Sequence, residues 1–163
     1  MIEPAGTEVV EVSLGDRSKL EPILEESFEG WYLMHARRVL HEIGTVRAAV
    51  SSGVPLGLIM VKDLEPGVGY IFYVAVLKGH RMQGIAGVLL KDALARFMAA
   101  GIAEVFASVE GDNLASERLF ASQGFLRTSF VDVSRRHGAL RAMNMYRMMV
   151  VVPGEVLLHK TLA

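Results

Sequence analysis

A loop of seven residues, His-Arg-Met-Gln-Gly-Ile-Ala at 80–86, contains the residue types from which binding chemistry can be read most directly. An apolar segment typical of a strand (70–77) precedes it, and an amphipathic segment typical of a helix (85–99) follows it. The first turn of a helix has backbone N–H groups without intrahelical acceptors and carries partial positive charge. Gly84 would let an anion approach the backbone, and Arg81 could add a charged hydrogen bond. The loop is therefore predicted to bind a phosphate or pyrophosphate.

The loop pattern alone does not identify the ligand, because an Arg-x-x-Gly-x-Ala string also occurs in plain strand-to-helix turns that bind nothing. The loop lies in the middle of the chain and lacks the Lys-Ser/Thr ending of a P-loop. It is also not the first strand-to-helix turn, which carries the glycines of a dinucleotide-binding fold. A nucleotide-binding protein is therefore the weaker interpretation.

The composition predicts one domain with a large core. The chain has 163 residues, of which 52% are hydrophobic, and a mean hydropathy of +0.35. No apolar run approaches the ~20 residues needed to cross a bilayer, and the first residues do not resemble a signal peptide, so a cytoplasmic protein is expected. The absence of cysteine excludes disulfides and thiol catalysis. A net charge of −1 does not favour nucleic acid or an anionic membrane as a partner.

The first part of the chain is predicted to form a strand and two helices. Residues 8–14 alternate as in a strand, and Ser18-Lys19-Leu20-Glu21 has the form of a capping box that starts a helix. The apolar face of this helix contains Leu20, Ile23, Leu24 and Phe28. Gly30 separates it from a second helix, which Gly44 ends. The second helix should turn four residues inward: Leu33, Ala36, Leu40 and Ile43.

Three strands and a long helix follow. Segments 45–50 and 55–62 flank the turn-forming Ser51-Ser52-Gly53 and should pair as an antiparallel hairpin. Pro66-Gly67 then leads into strand 70–77. Gly101 should end the helix at 85–99. The residues of this helix that should face the sheet are Val88, Leu89, Phe97 and Met98.

The last third of the chain is predicted to complete the sheet. After a strand at 104–109, Asp112 or Asn113 should cap a short helix that Gly124 ends. This helix carries three large apolar residues: Leu114, Leu119 and Phe120. Two further strands are predicted at 126–133 and 142–152, and residues 155–160 could add an extra strand or form a dimer contact. The predicted fold class is α/β (α+β), with about seven strands and about four helices.

Two motifs in this order resemble those of the GNAT superfamily, the acyl-CoA-dependent N-acyltransferases. The first is the strand 74–77 leading into the loop 81–86, and the second is the segment 113–120 followed by Gly124-Phe125. The similarity in element order extends over about residues 8–152. The resemblance implies a single domain, residues 1–163, with a mixed, mostly antiparallel sheet that splays between its fourth and fifth strands.

The resemblance also implies how acetyl-CoA would bind. The pyrophosphate would be held by the loop residues Arg81, Met82, Gln83, Gly84, Ile85 and Ala86. The pantetheine arm would pair, like an added strand, with the backbone of Val74, Ala75 and Val76. Asn113 matches a residue that often bonds this arm, although a helix cap is the alternative role.

One position departs from the family pattern. The family often has a tyrosine where this chain has Phe120, and that tyrosine protonates the departing thiolate. Phenylalanine has no proton to donate; Phe120 is expected to contact the cofactor, and a plain core residue is the alternative. A thiol with a pKa near ~8.5 leaves as an anion at a cost of roughly 2 kcal/mol at pH 7. Loss of an acid would therefore slow the reaction, by about 10²–10⁴-fold, without preventing it.

The pattern does not single out a general base. The candidates are Ser108, at a position where some family members carry glutamate, together with Glu110, His35 and Glu26. A lysine amine (pKa ~10.4) is neutral in fewer than about one molecule in a thousand at pH 7, whereas an α-amine (pKa ~8) is neutral in roughly a tenth. Only a lysine-like acceptor would strongly need a base.

The second helix supplies candidates for the acceptor site. Trp31, His35 and Arg38 share one face, at spacings i, i+4 and i+7, and could line an acceptor pocket together with Tyr32. A solvated helix face with a half-buried tryptophan is the alternative. The other four histidines lack the spacing of metal ligands, so no metal is expected: His41, His80, His137 and His159.

These residues together predict an N-acetyltransferase that moves an acetyl group from acetyl-CoA to a primary amine of a small molecule or peptide. The absence of cysteine favours direct attack without a covalent enzyme intermediate. An acyl-CoA-binding regulatory module without efficient catalysis is the alternative. The acceptor is left open, and so is the choice between a monomer and a homodimer.

Overall fold

The computed structural model describes residues 6–42 and 44–162, and within them the chain forms seven strands and six α-helices. The strands are β1 (Thr7–Glu11), β2 (Thr45–Ser51), β3 (Val54–Glu65), β4 (Val68–Val76), β5 (Glu104–Glu110), β6 (Leu126–Thr128) and β7 (Glu155–Thr161). The helices are α1 (Glu21–Ser27), α2 (Gly30–Glu42), α3 (Ile85–Ala99), α4 (Leu114–Ser122), α5 (Phe130–His137) and α6 (Ala139–Met149). Two 3₁₀ helices lie at Leu14–Leu20 and Lys78–His80.

The strands form one sheet in the order β1-β2-β3-β4-β5-β7-β6. The sheet is mostly antiparallel with β4 parallel to β5, which confirms the predicted fold class. The β2–β3 hairpin is also confirmed: Ser51 pairs with Val54 across a two-residue turn. Both turn residues, Ser52 and Gly53, have positive φ (50° and 78°), as a type I′ turn requires. No helix among the described residues has the length and apolar character to span a membrane.

By their contacts the residues group into two compact units. The first contains the described residues up to Lys62 together with residues 71–96. Its core includes fully buried residues from each of its main elements: Leu24, Leu40, Leu58, Ile71 and Leu89. Arg47 of β2 forms a two-bond ion pair with Asp92 of α3, which fixes this helix to the sheet (Nε to Oδ2 2.5 Å, Nη2 to Oδ1 3.2 Å).

The second unit contains residues 63–70 and 97–162. Its core includes Tyr70, Phe106, Phe125 and Met145, each at most 2% exposed. The C-terminal strand β7 lies between β5 and β6 and is antiparallel to both. The extra strand predicted at 155–160 is therefore real, and it takes an internal place in the sheet.

Two predicted strands, 126–133 and 142–152, are wrong. Only 126–128 form a strand, while residues 130–133 lie in α5 and residues 142–149 lie in α6. The Ser129 hydroxyl accepts a hydrogen bond from the Asp132 N–H, so Ser129 is the N-cap that ends β6 and starts α5. The buried residues of α6 are spaced as on one helix face: Ala142, Met145 and Met149. These two additional helices raise the number from about four to six.

Other expectations are corrected in detail. The proposed capping box does not form, since α1 has Leu20 at its N-cap and Pro22 in its first turn, after a 3₁₀ helix. Helix α3 has the predicted bounds, but Met98 is 58% exposed and does not face the sheet. Leu114 of α4 is also exposed. Ile43, expected to face inward, lies outside the described residues.

Candidate functional site

The loop between β4 and α3 has the backbone geometry of an anion site. Gly84 has φ of 82°, and Met82 has φ of 64° with its side chain fully exposed. The first hydrogen bond of α3 runs from the Val88 N–H to the Gly84 carbonyl, at 3.1 Å. Among the described residues, none accepts a hydrogen bond from the backbone N–H groups of residues 82–87. A row of donors is thus available where the helix dipole favours negative charge.

Side chains of α1 and of the loop itself hold this loop in place. Arg81 donates through Nε to the Val76 carbonyl (3.0 Å) and through Nη2 to the Ser27 hydroxyl (3.4 Å). The Glu26 carboxylate accepts from the Lys78 N–H at 2.9 Å. Glu26, a candidate base in the sequence, is therefore engaged in supporting the loop.

Gly57 of β3 is a supporting residue that the sequence analysis missed. A Cβ at this position would lie 2.9 Å from the Ala75 carbonyl oxygen and 3.3 Å from Cγ2 of Ile85. Ala75 lies near the end of β4, and Ile85 is the first residue of α3, so the missing side chain allows strand and helix to come close on either side of the loop. No signal in a single sequence distinguishes this glycine from one that only weakens a strand.

A second cluster in the same unit consists of aromatic side chains of α2 and β4. The Tyr73 hydroxyl and Nδ1 of His35 are 2.6 Å apart. The Trp31 ring stacks on His35 (4.9 Å between centroids, 8° between planes), and Tyr32 packs edge-on against Trp31. Burial, and to a lesser degree the charge of Arg38, lowers the pKa of His35. Three of the expected acceptor-site residues therefore lie together, with Tyr73 as a member that the sequence analysis did not identify.

The candidates on β5 belong to the second unit. Ser108 forms a hydrogen bond with the hydroxyl of Tyr70, at 2.6 Å between the oxygens. Tyr70 is buried, and this burial raises its pKa. Glu110 is exposed at the end of β5, opposite Glu155 of β7. Ser108 is thus engaged with a core tyrosine. Glu110 faces another carboxylate across the β5–β7 pair rather than a group of opposite charge.

Asn113 and Phe120 both lie at α4. The Asn113 side-chain oxygen accepts from the Ser116 N–H at 3.1 Å, so Asn113 caps the helix. Phe120 is 5% exposed and packs edge-on against Phe125, with centroids 5.1 Å apart. Each therefore has a structural role in the second unit.

Several histidines have carboxylate partners. His137 and His159 both lie near Glu104, at 2.7 Å and 3.9 Å, and His41 lies 2.8 Å from Glu21. Within residues 6–42 and 44–162, no group of three or more His, Asp or Glu side chains is arranged to hold a metal ion.

Comparison of the sequence with family models gives one match, which covers more than half of the chain. The model described as the acetyltransferase (GNAT) family matches residues 16–125, which include the anion loop, the aromatic cluster and α4. A search of the curated proteins found no match.

Solved structures similar to this chain include several acetyltransferases. The ribosomal-protein-S18-alanine N-acetyltransferase of Escherichia coli is 14% identical, with a TM-score of 0.71 over 96% of this chain and 94% of that one. The PaiA N-acetyltransferase of Thermoplasma acidophilum, solved in complex with coenzyme A, is 13% identical, with a TM-score of 0.71 over 95% and 98%. Ard1 of Thermoplasma volcanium is 16% identical, with a TM-score of 0.73 over 98% and 99%. At these identities the structures show a shared fold.

Proposed function

Because this chain belongs to the acetyltransferase (GNAT) family, we propose that it is an N-acetyltransferase that moves an acetyl group from acetyl-CoA to a primary amine of a small molecule or peptide. One observation carries the proposal. The backbone N–H groups of residues 82–87 have no acceptors among the described residues, and they lie at the start of α3 within the segment that matches the family. The family supports acetyl transfer as the reaction class, and the loop is the proposed binding site for the diphosphate of the acetyl donor.

The residues at the loop fit the diphosphate of coenzyme A. The donors come from the backbone, so they bind an anion without requiring a side chain to be ordered. Lys78 and Arg81 add positive charge to the segment between β4 and α3, and the carboxylate of Glu26 accepts a hydrogen bond from the backbone N–H of Lys78. Val74, Ala75 and Val76, at the end of β4, would pair with the pantetheine arm by strand addition.

Acetyl-CoA supplies an activated acyl carbon, and this chain's residues have to place the amine and remove its proton. Since the chain has no cysteine, direct attack by the amine is the route proposed. Trp31, Tyr32 and His35 form a partly exposed aromatic surface at which the acceptor would bind.

The second candidate function, an acyl-CoA-binding module without efficient catalysis, is favoured by one specific observation. Phe120, at a position where the family often has a proton-donating tyrosine, is buried against Phe125. This arrangement supplies packing and no acid. Ligand binding would remain while turnover became slow.

Release of coenzyme A thiol from acetyl-CoA, measured with a panel of amines and short peptides, separates the two functions. Mass spectrometry of the same mixtures should show an acceptor that gains one acetyl group. Amine-dependent thiol release above the rate without enzyme supports the transferase. Stabilisation of the fold by coenzyme A in a thermal-shift assay, with no turnover on any acceptor, would support the module instead. No stabilisation by coenzyme A would contradict both.

A further inference from the structure

We propose that Tyr73 and His35 form a two-step proton relay, in which Tyr73 takes the proton of the attacking amine and passes its own proton to His35. This inference rests on the proposed acetyl transfer and assigns residues to its proton transfer. Its main support is the 2.6 Å separation between the Tyr73 hydroxyl and Nδ1 of His35. The two groups therefore share a short hydrogen bond along which a proton can move.

The surrounding rings hold the pair in one orientation. Trp31 lies parallel to the imidazole, and Phe28 packs edge-on against Tyr73, with centroids 4.9 Å apart. The Phe72 ring also lies near the His35 ring, with 6.2 Å between their centroids. A relay needs fixed donors and acceptors, and aromatic packing on both members restricts their orientation.

The position of the pair on β4 relates it to the anion loop. Tyr73 precedes Val76 by three residues, or about 10 Å along an extended strand. The Val76 carbonyl is held by Arg81 of the loop. The Tyr73 side chain is half-buried, so a substrate can reach it. Strand β4 thus connects the proposed phosphate site to the relay within one compact unit.

The transfer balances in atoms and charge. As the amine nitrogen bonds to the acetyl carbon, the carbon–sulfur bond breaks and its electron pair stays on sulfur. The nitrogen must then lose one proton. That proton moves to the Tyr73 oxygen while the Tyr73 hydroxyl proton moves to Nδ1 of His35. Tyr73 ends neutral, and the His35 imidazolium returns its proton to water.

The electrostatics of the pair favour a particular acceptor. The lowered pKa of His35 keeps the ring neutral and ready to accept at pH 7, but makes it a weak base. It cannot deprotonate a lysine ammonium (pKa ~10.4) before attack, whereas an α-amine (pKa ~8) is already neutral in roughly a tenth of molecules. Peptides with a free N-terminus should therefore exceed N-blocked lysine peptides in kcat/KM by about 10²-fold at pH 7.

The relay is tested with Tyr73→Phe and His35→Asn, assayed by thiol release in the presence of an α-amine acceptor. Tyr73→Phe removes the hydroxyl and keeps the ring. His35→Asn keeps an oxygen acceptor near the position of Nδ1 but cannot take up a proton. Each variant should lose about 10²–10⁴-fold in kcat, the range for general acid–base catalysis, with unchanged affinity for coenzyme A by calorimetry. Tyr146→Phe, in α6 of the other unit, is the matched control and should keep wild-type kcat.

The pH profile distinguishes a proton relay from a structural contact. Among the described residues, Tyr73 of β4 is hydrogen-bonded to the imidazole and Arg38 of α2 acts on it by its charge, while the Trp31 and Phe72 rings that pack against it do not titrate. Protonation of both His35 and the amine at acidic pH should make log(kcat/KM) fall by about two per pH unit in the wild type. In His35→Asn the slope should be about one, since only the amine titrates.

If the wild type turns over, either of two results would overturn the relay while leaving the proposed acetyl transfer intact. The first is a kcat of Tyr73→Phe within twofold of the wild type, and the second is an acid slope of two that persists in His35→Asn. Absence of turnover by the wild type with every amine would overturn the proposed function and the relay together. Normal coenzyme A binding by each variant serves as the folding check.

Discussion

Replacing Asp92 with alanine should destabilise the protein strongly, because it leaves the Arg47 guanidinium buried without its partner. The Arg47 side chain is 10% exposed and the Asp92 side chain 24%, and two hydrogen bonds join them. Breaking a buried pair costs about 3–5 kcal/mol. Since water partly reaches Asp92, we expect a loss near the lower limit, about 3 kcal/mol.

Urea unfolding measures this loss as a change in midpoint with an unchanged slope. The matched control is Glu42→Ala, which breaks the exposed pair with Arg38 (69% and 62% exposed) and should cost only about 0.3–0.5 kcal/mol. The double variant Asp92→Ala/Arg47→Met should recover part of the stability, because no charge is left buried. A loss below about 1 kcal/mol for Asp92→Ala would refute the argument that this ion pair holds α3 on the sheet.

Two further changes test the site. Gly57→Ala should cost about 1–3 kcal/mol in the free energy of unfolding and weaken coenzyme A binding, since its Cβ would press on Ala75 and Ile85. Gly79→Ala is the control: Gly79 lies between β4 and α3, and a Cβ there would point into open space, so neither quantity should change. Equal effects of the two substitutions would contradict the close-packing argument. Phe120→Tyr should raise kcat, by up to about 10²-fold, by supplying the missing acid. A kcat that stays equal or falls in this variant would show that position 120 does not face the departing thiolate.

The sequence was sufficient to predict the central elements because their signals are local. The hairpin turn at Ser52-Gly53 and helix α3 follow from residue types within a few positions. The segments 126–133 and 142–152 are wrongly predicted as strands because short runs of apolar residues fit a strand as well as a helix. The decisive signals are the Ser129 cap with Asp132 three residues later and the spacing of three and then four residues between the buried side chains of α6.

The loop could be predicted from the sequence, whereas the contacts that support it could not. Glu26 accepts a hydrogen bond from the Lys78 N–H, and Ser27 accepts one from Arg81, although more than 50 residues separate the members of each pair. The pairing of Tyr73 with His35 likewise spans 38 positions. Such pairs depend on how α1, α2 and β4 pack, and a single sequence contains no local pattern for that packing.

The central claim, that backbone amides at the start of α3 bind the diphosphate, can be tested without any substitution. Titration of isotope-labelled protein with coenzyme A, followed by amide ¹H–¹⁵N correlation spectra, should move the signals of residues 82–87 more than those of the rest of the chain, because hydrogen bonds to phosphate deshield the amide protons. Inorganic pyrophosphate should shift the same amides at higher concentration. Saturating coenzyme A binding that leaves the amides of this loop unmoved would contradict the account.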